Sequence, residues 1–326
     1  MTFFSMKTAL HLGFPKTATT FLQNQYFSKH PDLHFLGTPF VSEKMCQLLE
    51  GDLRTKEDIF LNLDKMKSDV ECEIENCFPL QKTGNIKVLS YESYSLTDSF
   101  HDTNLSRSEY LRRLKYLFPD SKVILVIRNQ LKYPFSYFNT ILKGGGTLSY
   151  KNFLKWSLTH KDNNYLPQLK YDKYIDLVHE YFPKENIKII CYEEILSNYQ
   201  EVLNQVSDFL DVQKIEVNWN NDNASMSYLS YILRRYLNKV IRYDCGLERY
   251  SLPTRVAGGN GIGWKAYYKH ATLKFFEILD KTLKLKAYKP SMDSKTKNEL
   301  INEFKDSNQR LIDVYHLPVD KYNYPL

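Results

Sequence analysis

Two apolar patterns alternate along the first two hundred residues. Continuous apolar or β-branched runs at Lys7–Leu12, Leu33–Leu36, Ile86–Tyr91, Lys122–Arg128 and Ile187–Tyr192 predict strands, and the least interrupted of them, Lys122–Arg128, predicts a strand buried on both faces. Between the runs, apolar residues recur every three to four positions. That spacing predicts helices at Thr19–Ser28, in pieces over 41–78, at Leu105–Leu117 with Arg112, Arg113 and Lys115 outward, at Gln130–Lys143, and at Tyr171–Tyr181. Pro134 falls in the first turns of its helix, where proline is tolerated. Beyond about residue 201 only the helical period remains, at Val202–Leu210, Leu229–Arg242, Tyr267–Leu285 and Lys297–Tyr315. Alternating strands and helices predict an α/β fold, a central parallel sheet flanked by helices, with a helical C-terminal half. One domain over 1–326 is expected, its α/β core in 1–200 and a mainly helical extension in 201–326.

The stretch after the first strand, Gly13-Phe14-Pro15-Lys16-Thr17-Ala18-Thr19-Thr20-Phe21, reads as strand, tight loop and helix N-terminus. Such a turn gathers unpaired N–H groups and the positive end of a helix dipole at one point. Lys16 adds a full charge, and Thr17, Thr19 and Thr20 add hydroxyls. The predicted occupant is an ionised oxyanion such as a phosphate; the alternative is a plain βα turn with a surface lysine. It is not a Walker loop, which needs G-x-x-x-x-G-K-[ST]. Pro15 precedes the lysine, and the span from Gly13 to Lys16 is too short to wrap a β-phosphate.

Composition narrows the partners. The chain of 326 residues carries 44 Lys and Arg against 38 Asp and Glu, a net +6, which suits a small anionic ligand better than a nucleic-acid backbone. Cys46, Cys72, Cys77, Cys191 and Cys245 make an odd count without CxxC or metal spacing, so reduced thiols, no metal and a cytoplasmic location are expected. Cys191 reads as a core thiol and His11 as a strand residue packed in the sheet. The acidic residues from 43 to 75, Glu73 among them, read as a solvated face. No signal-like start and no window of 18 apolar residues are present, which predicts a soluble chain without an integral membrane segment.

Arg128 ends the central strand, and Ser136 follows eight residues on. In an open α/β sheet the carboxyl ends of the strands form the ligand edge. An arginine fork and a serine hydroxyl there would hold a phosphate; equally, Arg128 would cap the sheet or pair with an acid.

The two motifs together resemble the sulfotransferases that use 3′-phosphoadenosine 5′-phosphosulfate (PAPS). G-F-P-K-T-A-T-T-F-L-Q is similar to their 5′-phosphosulfate loop. I-R-N-Q-L-K-Y-P-F-S-Y-F resembles their 3′-phosphate motif R-N-P-x-D-x-x-x-S-x-Y, with Arg128, Asn129 and Ser136 matching while Gln130, Lys132 and Phe138 depart from it. Ile190-Cys191-Tyr192-Glu193-Glu194-Ile195 is similar to the family's Y-E-D-L segment, and the end of the chain, N-Y-P-L, to bacterial members. The resemblance implies the P-loop-like sulfotransferase fold, PAPS as co-substrate with 3′-phosphoadenosine 5′-phosphate (PAP) as product, no metal, and a bacterial cytoplasmic enzyme. It implies that Lys16 stabilises the bridging oxygen, that Thr17, Ala18, Thr19, Thr20 and Phe21 hold the 5′-phosphate, that Arg128 and Ser136 hold the 3′-phosphate, and that Tyr192 approaches the adenine. Arg255, opening a glycine-rich stretch to Gly263, is an imperfect echo of a further 3′-phosphate loop.

The acceptor needs a general base. Glu92, after the strand Ile86–Tyr91, and His101, nine residues later, are the two candidates. The expected acceptor is a hydroxyl of a saccharide, lipid head group or small metabolite, and no nucleic acid is expected. Two rivals stand beside this reading. A P-loop small-molecule kinase would want a strand-end Asp for Mg²⁺, where this chain has Arg128. A nucleotide- or glycan-binding protein on the same scaffold would bind donor without turnover.

Overall fold

The structure is a computed structural model and describes residues 7–37, 42–78, 86–95, 105–219, 226–241 and 264–326. Among the described residues five parallel strands form one sheet: β1 (Thr8–His11), β2 (Leu33–Phe35), β3 (Ile86–Ser90), β4 (Lys122–Ile127) and β5 (Ile187–Cys191), in the order β2-β3-β1-β4-β5. All five fall where the apolar runs predict them, one or two residues shorter. Side chains alternate across the sheet. Val123, Leu125 and Ile127 of β4 join a core with Leu111, Ile175 and Phe304 from three covering helices. Ile124 and Val126 face the other layer, with Phe21, Tyr26 and Val206. A strand buried on both sides has no polar face, which is why β4 reads as one apolar run.

The chain builds β2 and β3 on one side of β1, then crosses to place β4 on the other. The loops after β1 and β4 therefore leave the sheet side by side, at the position where doubly wound sheets open a crevice.

The helices differ from expectation in instructive places. The helix from Thr19 is α-helical only to Phe21 and widens into π-type turns over Leu22–Phe27. The helix expected from Gln130 begins at Tyr133, because the Asn129 side chain first accepts the Leu131 N–H at 2.9 Å and closes a separate turn. Ser136 thus lies in the first turn of that helix, where a start at Gln130 would have put it in the second. Tyr192 is not a strand end but the first residue of the helix Tyr192–Leu210. The helix Tyr150–Thr159 was not anticipated; Ser149 caps it by accepting the Asn152 N–H at 3.2 Å.

Arg113 corrects the predicted outward face of the helix Arg107–Leu117. It is fully buried, donating to Glu109 at 2.7 Å, to Asp58 at 2.8 Å and to the Leu53 carbonyl at 2.8 Å. Arg112 and Arg113 hold the Glu109 carboxyl down at about 2. Glu73 is likewise buried rather than solvated and accepts a hydrogen bond from Ser42. In both cases a second helical segment covers a polar side chain, which a one-helix pattern does not reveal. Cys191 and His11 are buried as expected, and Cys46, Cys72, Cys77 and Cys191 are free thiols. Cys245 lies outside the described residues.

Candidate active site

The loop after β1 is pinned to β4. Phe14 N–H donates to the Val126 carbonyl at 2.9 Å and Val126 N–H to the Gly13 carbonyl at 2.7 Å. The Phe14 ring is buried edge-on to Tyr171, with centroids 4.7 Å apart. Gly13 is required here. Its φ is +104°, and a Cβ would stand 2.9 Å from the Glu92 carbonyl oxygen and 2.8 Å from Ser95 Oγ. That close approach seats the turn Glu92–Ser95 directly against the loop.

Lys16 and Ala18 both adopt left-handed backbone, at φ 65° and 66°, a conformation that costs a non-glycine residue roughly 1–2 kcal/mol. Ala18 sits at the N-cap, where it has no oxygen to offer the helix, and no side chain caps this terminus. The helix N–H groups are thereby left for an outside acceptor. The threonines divide the labour differently from expectation. The hydroxyls of Thr17 and Thr19 turn inward to the Phe14 carbonyl, Thr19 at 3.5 Å, and stiffen the loop; Thr20 is exposed. Phe21 packs its ring against Trp219 (4.3 Å) and Tyr199 (6.0 Å), so only its backbone faces the loop.

Arg128 reaches across the crevice. One arm of its guanidinium donates to the Lys16 carbonyl at 2.6 Å, its carbon lies 4.5 Å from the Tyr192 ring centroid, and its buried Nε has no hydrogen-bond partner. The Tyr171 hydroxyl donates to the Arg128 carbonyl at 2.8 Å and fixes the strand end. The structure thus brings Lys16, Arg128 and Tyr192 together, with the Glu92 turn on the loop's other side. Ser136 is half-buried. His101, Arg255 and the glycines up to Gly263 lie outside the described residues.

Three groups of residues were not anticipated. Gln130, where the family motif has proline, is fully buried and exchanges amide hydrogen bonds with Asn308, donating at 2.7 Å and accepting at 3.2 Å. Asn308 in turn donates to the Pro325 carbonyl at 2.7 Å. Asn129 donates to the carbonyls of Tyr322 and Asn323 at 3.0 and 2.6 Å, and Tyr324 donates to Glu193 at 2.9 Å. The end of the chain is therefore bolted behind Arg128; its only sequence signal was the N-Y-P-L match. Finally, Lys143, at the end of the helix Tyr133–Lys143, is a second cation on the loop's side: burial and then the Lys16 charge push its amine below the usual lysine range.

A lysine-bearing βα turn without a side-chain cap and the Arg128 guanidinium thus meet at the switch point of a parallel α/β sheet. The sequence profile described as the Sulfotransferase family matches residues 10–216, and the chain belongs to that family; its chemistry is sulfuryl transfer. No curated protein matches the sequence. Among solved structures, it is similar to a sulfotransferase from Alicyclobacillus acidocaldarius at 18% identity, covering 74% of this chain and 98% of that one, with a TM-score of 0.45. It is similar to mouse sulfotransferase SULT7A1 complexed with PAP at 14% identity, covering 65% of this chain and 61% of that one, TM-score 0.36. Sulfotransferase STF9 from Mycobacterium avium is similar at 10% identity over 87% of this chain and 78% of that one, TM-score 0.39. Among the described residues no group of three His, Cys, Asp or Glu could hold a metal, and no helix is long and apolar enough to cross a membrane.

Proposed function

We propose that this enzyme moves a sulfuryl group from PAPS to a hydroxyl of a saccharide, a lipid head group or a small metabolite, in the cytoplasm and without a metal. The observation that carries the reading is the Arg128 fork resting on the Lys16 carbonyl at the switch point, with a buried Nε left unpartnered. The residue as a whole is half-buried, but its Nε is shielded from water, and a shielded donor without a partner is costly unless an anion completes it. The 3′-phosphate of the nucleotide is that anion, with the Ser136 hydroxyl beside it, and Tyr192 offers its ring to the adenine. The N–H groups from Thr17 to Phe21 receive the 5′-phosphate.

Transfer is an in-line displacement at sulfur. The acceptor oxygen bonds to sulfur, the bond from sulfur to the bridging oxygen breaks, and negative charge grows on that oxygen. Lys16 neutralises it as a positioned cation neutralises the leaving oxygen in phosphoryl transfer. Glu92 takes the acceptor proton, and the contact of its turn with the loop through Gly13 supports that role.

Incubation with labelled PAPS and a panel of hydroxyl acceptors tests the reading. Label appears on an acceptor if it holds. Stabilisation by PAP without any turnover would leave a binding protein, and stabilisation by ATP·Mg²⁺ instead of PAP would leave a kinase.

A further inference from the structure

The helix Tyr228–Ile241 is built inside out. Its buried face carries the polar residues Ser230, Arg234 and Asn238, each 2% exposed or less. Its solvent face carries Tyr228, Leu229, Ile232, Leu233, Tyr236 and Val240, with Tyr236 at 66% and Val240 at 64% exposure. Every buried polar group has work. Arg234 donates to Thr272 at 2.6 Å and to the Lys143 carbonyl at 3.0 Å, while Asn238 donates to the Leu142 and Gly146 carbonyls at 3.0 and 2.8 Å. Ser227, just before the helix, and Ser230 both donate to Asp280 at 2.6 Å. The neighbouring helix Trp264–Thr282 and the turn after it add Phe275, Ile278 and Leu283 to the outward apolar surface. Six exposed apolar side chains on one helix are more than the scattered exposed apolar residues that are the ordinary case, and they mark an interaction surface.

Charge selects the partner. Among the described residues of these two helices and the turn after them, six lysines are exposed, Lys289 among them, against one exposed carboxylate, Glu277. Lys239, Lys274, Lys281, Lys284 and Lys286 are all exposed around the stripe. A symmetric dimer through this face would set the same basic patch against itself. A bilayer surface with anionic head groups takes both features at once, with the apolar side chains entering the acyl boundary and the lysines resting on the head groups.

We propose that the face formed by the helices Tyr228–Ile241 and Trp264–Thr282 binds the surface of an anionic lipid bilayer. The same helix clamps the Lys143 end of the helix that starts beside Arg128.

Co-sedimentation of the full chain with lipid vesicles tests this and needs neither donor nor acceptor, so it stays readable if the sulfuryl reading fails. Vesicles of phosphatidylcholine with about 30% phosphatidylserine should bind the chain, and vesicles of phosphatidylcholine alone far less, with binding falling as salt rises. The Ile232→Glu/Tyr236→Glu variant should lose at least about tenfold in partitioning, since it removes two apolar anchors and adds repulsion. Lys239→Ala and Lys284→Ala, at exposed sites that leave packing intact, should each lose about fivefold. Absence of binding to the anionic vesicles, equal binding by the parent and all three variants, or a dimer in light scattering that Ile232→Glu/Tyr236→Glu dissociates would overturn the proposal.

Discussion

The Arg128 guanidinium donates to the Lys16 carbonyl across 2.6 Å, joining residues 112 positions apart. This contact ties the first loop of the chain to the end of its central strand. The Nε of the same guanidinium is buried and has no hydrogen-bond partner.

Lys16 and Arg128 should fail in different ways. Lys16→Ala is expected to lower kcat about 10²- to 10³-fold while PAP affinity changes little, because its charge acts where negative charge develops. Arg128→Ala should weaken PAP binding about 10- to 100-fold, the worth of a charge-assisted hydrogen bond to phosphate. Turnover assays with PAP titrations on both variants separate the two. Small and equal losses would remove the assignment.

Glu92→Gln keeps the side chain's size and removes the base. The expected loss is about 10²- to 10⁴-fold in kcat with PAP binding unchanged. An unaffected rate in that variant would transfer the role to another residue, His101 being next in line.

Gln130 and Asn308 should behave as one unit. Each single alanine variant strands a buried amide and is expected to cost about 1–3 kcal/mol of stability and to loosen PAP binding through Arg128. The double variant should cost clearly less than the two losses combined. Denaturant melts and PAP titration over the four-protein cycle decide it; strict additivity would mean the pair does not hold the strand end as a unit.

His11 predicts an acid-sensitive fold. It is fully buried, its Nδ1 lies 2.7 Å from Ser90 Oγ, and burial pushes its pKa down to about 4. The unfolded chain, with a pKa of about 6.5, takes up that proton first. Its contribution is therefore complete above about pH 6.5 and is lost as pH falls toward 4, an effect of about 3 kcal/mol. A His11→Gln variant should lose this part of the pH slope, read as the difference between its melts and the parent's from pH 7 to pH 4.5.

The local code of this protein was legible without coordinates. All five strands follow from apolar runs because a parallel strand is buried on both faces, and helices such as Tyr171–Tyr181 follow from spacing. Lys16, Arg128 and Glu92 were placeable at the sheet's carboxyl edge because each sits one to five residues beyond a strand. What the tertiary structure decided are contacts between distant segments. Arg113 and Glu73 are buried only because another segment lies over them, and the Thr17 hydroxyl turns inward because Phe14 is held against β4. Gln130 found its reason in Asn308, 178 positions later. Periodicity reports which face of an element is apolar; it does not report what covers a polar side chain, because that depends on which distant part of the chain arrives there.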